Sequence, residues 1–367
     1  MKNCKGKVLI AVTNDISSDE RIRKVSEHLN SKGYEIVNYG RELFDTFDIK
    51  TNYKIIRKKH LFNNNFLFYA EFNIRLLYFI LINKFDYILS NDLDTLPSCF
   101  LGSKVKNVKL IYDSHEYFTE VPELQNRNFV RGFWLLIERV LLPKVKYSMT
   151  VSQSIANDYR SKYGVNMLVV RNLPILAKNK VIEKVEIPTK NKFILYQGVL
   201  NPGRGIKPMI DALKILTDID LVIVGYGKVK DELIAYAKNK NLEKRVHFLG
   251  RVPYNKLINY SNVALIGMVL EEPFGKSFEY SLPNKLFDFI HAELPIIAAP
   301  IKEVKRIVED YKIGLLIKDY SAESIAEVVN KLTFDDDLRL QIIENQKKAK
   351  IELCWENEVI LIDNYFN

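Results

Sequence analysis

Apolar and polar positions along the chain follow two alternating rhythms. Short runs rich in Val, Ile, Leu and Tyr recur at residues 7–12, 34–39, 87–90, 109–112, 147–151 and 168–170, and again at 193–197, 221–224, 246–249, 263–266, 295–299 and 314–317. Helix-length amphipathic stretches separate them. Runs this short and uniformly apolar predict strands buried on both faces, and strands alternating with helices predict right-handed crossovers in parallel sheets. The expected class is α/β, doubly wound, twice over: two Rossmann-like domains.

Length supports the division, because 367 residues exceed the size at which one core usually stops growing. Residues 177–192 are polar and aperiodic, with Lys178, Lys180, Lys184, Lys190 and Lys192 around Pro188, which marks a linker. The prediction is an N-terminal domain over 1–176 and a C-terminal one over 177–344. A helical pattern over about 345–367 is expected to pack back on the first domain.

Composition removes several function classes. With 47% hydrophobic and 27% charged residues the chain is ordinary globular material, not a disordered one. Cys4, Cys99 and Cys354 are scattered and form no Cys-x-x-Cys pair, which excludes a disulfide framework and fits a reducing, cytoplasmic setting. The apolar run after Lys2, Lys5 and Lys7 is too short for a signal peptide and reads as a first strand. The longest apolar stretch, 66–82, is broken by Glu71, Asn73 and Arg75, so no membrane span is expected. A net charge of +9 favours anionic partners: nucleic acid, phosphorylated small molecules or an acidic membrane surface. No zinc-finger spacing and no aromatic-basic sheet pattern accompany it, which excludes nucleic acid.

In doubly wound sheets ligands sit beyond the carboxyl ends of the strands, so strand-to-helix loops hold the candidate chemistry. After the run ending at Gln197 come Gly198, Gly203 and Gly205, with Arg204 just before a helix whose amides also favour anions. That is a diphosphate cradle in outline, or a glycine turn with a solvated arginine. Pro283 suits a helix start, which puts Asn284 and Lys285 in the first turn and Asp288 about one turn deeper. A lysine there opposes the helix dipole unless a phosphate binds, and Asp288 can accept ribose hydroxyls or cap its own helix. His115, in Asp113-Ser114-His115-Glu116, can hydrogen-bond a sugar hydroxyl or sit as a loop histidine beside a helix cap. Arg21 is expected to pair with Asp15 or Asp19. Asp92-Leu93-Asp94 has metal-binding spacing and Gly225-Tyr226-Gly227 has turn spacing, but each alone is a weak signal. No Gly-x-Gly-x-x-Gly or Walker loop is present.

In this order, Asp19-Glu20-Arg21, Asp113-Ser114-His115-Glu116, Arg171-Asn172-Leu173-Pro174, Gly203-Arg204-Gly205, Val224-Gly225-Tyr226-Gly227, Phe248-Leu249-Gly250 and Leu282-Pro283-Asn284-Lys285-Leu286-Phe287 resemble family 4 of the retaining glycosyltransferases. The resemblance implies GT-B architecture, two domains facing across a cleft, and a nucleotide-sugar donor held mainly by the second. It implies a glycan or lipid-linked acceptor, sugar transfer with retention, and neither cofactor nor metal. It also implies that Arg204 and Lys285 contact the diphosphate, Asp288 the ribose, and His115 the donor sugar or reaction centre, with Gly203, Gly205, Gly225 and Asn284 lining the donor site. Where many members carry an arginine after the glycine matching Gly198, this chain has Val199. The family's paired glutamates have two candidate registers here, Glu271 with Glu279 or Tyr280 with Asp288, and the strand beginning at Pro295 favours the second. A non-catalytic nucleotide-sugar-binding scaffold and a GT-B sugar epimerase are the rival readings. Basic and aromatic material, Arg57 to His60, Phe62, Phe66, Phe68, Arg75 and 129–146, suggests contact with the inner face of an anionic membrane.

Overall fold

The computed structural model describes residues 4–43, 50–176 and 183–366. The chain divides into two compact units, Met1–Asn172 with Val359–Asn367, and Leu173–Glu358. The first holds a sheet of β1 (Lys7–Ala11), β2 (Glu35–Arg41), β3 (Lys54–Lys58), β4 (Tyr87–Asn91), β5 (Lys109–Ser114), β6 (Tyr147–Thr150) and β7 (Leu168–Val169), in the order β3-β2-β1-β4-β5-β6-β7. The second holds β8 (Lys192–Gln197), β9 (Ile219–Val224), β10 (Val246–Gly250), β11 (Ile266–Val269), β12 (Ile296–Ala298) and β13 (Gly314–Leu316), in the order β10-β9-β8-β11-β12-β13. Every described pairing is parallel. Each order reverses once, between β1 and β4 and between β8 and β11. Those reversals are where an open α/β sheet leaves a crevice for a ligand.

The period of two explains why both faces of the second sheet are dry. Ile194, Tyr196, Leu221, Ile223, Ile266 and Met268 enter one buried cluster, while Phe193, Leu195, Val222, Val224 and Val269 enter another on the opposite face. In the first unit, α1 (Glu20–Ser31) begins where the Asp19 side chain accepts from Ile22 N at 3.0 Å. The next long helix, α2 (Asn65–Ile82), places Phe68, Phe72, Leu76 and Ile80 at i+4 spacing against Leu9, Ala11, Val37 and Tyr39. Among the described residues α2 is the one helix long and apolar enough to cross a membrane. That row of four side chains is committed to the sheet.

Three expectations are revised. Strand β3 was missed, because an edge strand with two apolar residues among lysines and an arginine reads as a basic segment. The run 263–266 was placed too early: 263–269 is apolar throughout, and only pairing of Ile266 with Ile194 and Gly267 with Ile296 sets the start of β11. The division falls between Asn172 and Leu173, ahead of the lysine-rich passage, of which 177–182 lies outside the described residues. Lys24 Nζ donates to Asn172 at 2.6 Å in the first unit, whereas Leu173 is buried in the second.

The return of the chain also begins later than 345. The helix Asp336–Glu352 belongs to the second unit, where Gln346 Nε2 donates to Leu294 O at 2.7 Å. From Val359 onward the chain joins the first unit. Asp363 takes His28 at 2.6 Å and Lys32 at 3.0 Å, and the carbonyl of Phe366 accepts from the hydroxyls of Tyr34 and Tyr87. The Phe366 ring is 2% exposed between those two tyrosines. Replacing Phe366 by alanine is expected to cost about 3–5 kcal/mol, the range for a buried Phe→Ala change. Chemical denaturation checks this, and an unchanged midpoint refutes the docking.

Candidate active site

At the reversal in the second sheet, three segments meet. The loop after β8 runs from Gly198 to Gly205 and enters α3 (Ile206–Ala212). The segment after β11 brings Glu271, and α4 (Asn284–His291) starts with Asn284 and Lys285. Glu271 is wholly buried. Its Oε1 lies 2.7 Å from Lys285 Nζ and 3.5 Å from Arg204 Nη1. Lys285 is 7% exposed, with its Nζ 4.0 Å from the centre of the Tyr196 ring. Arg204 lies over Phe278 at 4.9 Å with 28% of its side chain exposed. Burial drives the Lys285 ammonium below the usual lysine range; Glu271 resists the drop and Arg204 adds to it.

The cluster is incomplete. Glu271 Oε1 and Oε2, Lys285 Nζ and Arg204 Nε are all buried without a properly directed hydrogen bond. Two cations face one carboxylate, so the site carries surplus positive charge where burial makes charge expensive. An anion at this end of the sheet would offer Lys285 Nζ and Arg204 an acceptor and offset the surplus charge.

The glycines serve the loop's own packing. A Cβ on Gly205 would stand 2.2 Å from Leu270 O, and one on Gly225 would stand 1.8 Å from Gly198 O. These residues let the loop seat against β11 and let the turn after β9 seat against the loop; Gly203 is tight in the same way against Phe274. Asp288 does not cap its helix. It accepts from Gln197 Nε2 at 3.0 Å and from the Tyr254 hydroxyl at 2.8 Å, which ties α4 to the end of β8. Asn284 is exposed at the helix start. Sequence reasoning missed the contribution of Gln197 and Tyr254 and weighed Glu271 only for its spacing from Glu279, which is exposed. The available signal was a glutamate closing a fully apolar run at 266–270.

The reversal in the first sheet holds a second ionic cluster. Arg21 does not pair with Asp15 or Asp19: Asp15 accepts from Ser17 N and pairs with Arg57, and Asp19 caps α1 at Ile22 N. It forms a two-point pair with Asp113, Nε and Nη2 each at 2.8 Å. His115 Nε2 is 3.1 Å from Asp113, and its backbone N–H donates to Asp92 at 2.8 Å. Asp92 adopts a left-handed backbone, φ 59°, that few non-glycine residues take. Asp94 accepts the Thr13 hydroxyl at 2.5 Å across the β1–β4 reversal. Asp92 and Asp94 thus bind the chain itself, and among the described residues no group of three or more His, Cys, Asp or Glu converges as metal ligands would.

Burial opposes the imidazolium of His115, but Asp113 and Asp92 outweigh it and raise its pKa to about 9. Burial, with Asp94 and Glu116, raises Asp92 to about 7 against the pull of His115. An unfolded histidine titrates near 6.5. The stabilisation from His115 is therefore complete below about pH 6.5 and is lost as pH rises through about 9. Proton NMR of the five histidines is expected to find His115 charged at pH 8. Asp113→Asn should bring its titration down, and a native titration near 6.5 contradicts the assignment.

The family described as glycosyl transferases group 1 matches residues 177–349, and glycosyltransferase family 4 matches residues 20–172. An uncharacterized glycosyltransferase of Methanocaldococcus jannaschii is 26% identical over 86% of this chain and 81% of its own. The N-acetylgalactosamine-N,N'-diacetylbacillosaminyl-diphospho-undecaprenol 4-alpha-N-acetylgalactosaminyltransferase of Campylobacter jejuni is 30% identical over 45% of this chain and 43% of its own. An Anabaena protein solved in complex with UDP-glucose superposes with a TM-score of 0.73 at 16% identity, over 98% of each chain.

Proposed function

The chain belongs to glycosyltransferase family 4, with GT-B architecture, and from that premise we propose that it transfers a sugar from a nucleoside-diphosphate donor, with retention and without a metal. The observation that carries the donor assignment is the buried Glu271–Lys285–Arg204 cluster with one cation in excess. Arg204 and Lys285 hold the diphosphate and stabilise the charge that develops on it as the sugar–phosphate bond breaks, the task a metal performs elsewhere. Asp288, already an acceptor for Gln197 and Tyr254, takes the ribose hydroxyls. His115, kept cationic by Asp113 and Asp92, acts toward the donor sugar at the reaction centre. Gly203, Gly205 and Gly225 give the loop its seat, and Asn284 stands at its rim. The UDP-glucose complex of the Anabaena neighbour supports a donor of this class.

The acceptor is a glycan or a lipid-linked sugar of a surface polysaccharide pathway, at the inner face of the membrane. Phe68 of the expected contact segment is core, but Phe66, Leu67, Ile74 and Tyr78 of α2 are 63%, 53%, 70% and 65% exposed. Leu101 and Val105 on the helix Leu96–Lys106 and Phe129, Leu136 and Val140 on the helix Asn128–Leu141 are exposed as well, and Phe66 meets Phe133 edge to face at 5.8 Å. On these three helices Lys104 and Arg139 are exposed and Arg75, Lys106 and Arg131 half-buried, whereas Glu138 is buried and Glu71 is largely covered beside Arg75. Apolar side chains in a basic surround suit an anionic bilayer, and the Campylobacter relative, named for transfer to a diphospho-undecaprenol sugar, supports such an acceptor.

Calorimetry with UDP, GDP and ADP in EDTA is expected to find one that binds without metal. Arg204→Ala should weaken that binding by about 1.5–3 kcal/mol, the scale of a hydrogen bond between charged groups; unchanged affinity refutes the assignment. Binding without transfer to any acceptor favours the scaffold reading, for which Val199 is the supporting feature, and conversion of the donor without acceptor favours the epimerase. Vesicles rich in anionic lipid should carry the protein upward in a density gradient, with Phe66→Ser and Phe129→Ser reducing the floated fraction. No flotation of the native protein removes the membrane contact.

A further inference from the structure

Lys285 is an ammonium in a place that disfavours ammonium. It sits 7% exposed on the face of Tyr196, whose hydroxyl is engaged with Val199 O at 2.9 Å. The charged groups facing it come from two other segments. Arg204, from the loop before α3, repels it, and Glu271, from the segment after β11, attracts it at 2.7 Å. The neighbouring acid Glu272 is turned away to accept from Gly205 N at 3.2 Å, and the Tyr320 hydroxyl donates to the backbone carbonyl of Glu271 at 2.6 Å. Among the described residues Lys285 therefore has one counter-ion. A buried lysine without one sheds its proton, because desolvation penalises only the charged form.

We propose that Glu271 is a positioning residue: it keeps Lys285 protonated and holds it beside Arg204 under the loop after Gly198, so that the site's capacity for an anion depends on a carboxylate that does not bind the anion. Removing the negative charge leaves the geometry but lets Lys285 become a neutral amine as the pH rises. The expected consequence is opposite to that of simple competition, in which deleting an acid from an anion site tightens the anion's binding.

The first readout is independent of the proposed function. In ligand-free protein carrying lysine labelled with carbon-13 at Cε, with the Lys285 signal assigned by its loss in Lys285→Arg, Glu271→Gln should lower the titration of Lys285 by about one unit or more, and Glu271→Asp should hold it near the native value. The second readout, which rests on the donor-site reading, is calorimetric binding of inorganic pyrophosphate. Glu271→Gln should bind it roughly tenfold more weakly than the native protein at pH 9 and nearly equally at pH 6, since each unit of pH above a pKa leaves tenfold less charged form. The double variant Glu271→Gln with Lys285→Arg should lose that pH dependence, because a guanidinium keeps its charge. An unchanged Lys285 titration in Glu271→Gln overturns the proposal, as does tighter pyrophosphate binding at both pH values. If the native protein fails to bind pyrophosphate while the titration shifts as stated, the donor-site reading fails and the role of Glu271 in holding the Lys285 proton stands.

Discussion

A buried carboxylate that answers for two cations organises the second unit's functional end. Glu271 reaches Lys285 on α4 and Arg204 on the loop before α3, so the connections that leave β8 and β11 converge on one group. Such an ion cluster is poor value as a stabiliser, since desolvating three charges costs several kcal/mol per ion before any attraction is counted. Its use lies in leaving one positive charge over at the sheet's reversal. The first unit has a comparable cluster at the same kind of reversal, but there Arg21 and His115 face Asp113 and Asp92, with Asp94 and Glu116 adding negative charge. That cluster is closed, and the one in the second unit is open toward an anion. The asymmetry is the physical reason for assigning the diphosphate to the second unit and a charged, fixed imidazolium to the first.

Much of the fold was legible because strands buried on both faces have no polar alternation to confuse them, and all but one of the strands were visible as short apolar runs. The exceptions share a cause. The edge strand β3 and the start of β11 are set by pairing with neighbours, which no local pattern encodes. At the site, Arg204, Lys285 and Asp288 were visible as residue types in strand-to-helix loops. What they touch was not. Glu271 lies fourteen positions from Lys285 and reads as one of several acids, and Arg21 takes Asp113 ninety-two positions away rather than the aspartates beside it. Nearby acids were the natural guess for Arg21 until the backbone claimed them as caps. The glycines carried a different lesson, since the atoms that exclude a side chain there belong to the chain itself.

The apolar face of the first unit and the ion cluster of the second are separate consequences of one economy. Helix α2 commits Phe68, Phe72, Leu76 and Ile80 to the sheet and leaves Phe66, Leu67, Ile74 and Tyr78 exposed, and the helices Leu96–Lys106 and Asn128–Leu141 also carry exposed apolar residues.

The central claim is that the β8–β11 reversal holds a diphosphate between Arg204 and Lys285. A crystal structure with the tightest-binding nucleoside diphosphate tests it most directly. The account predicts phosphate oxygens within hydrogen-bond distance of both side chains, with the ribose at Asp288. A diphosphate seated away from both cations contradicts it.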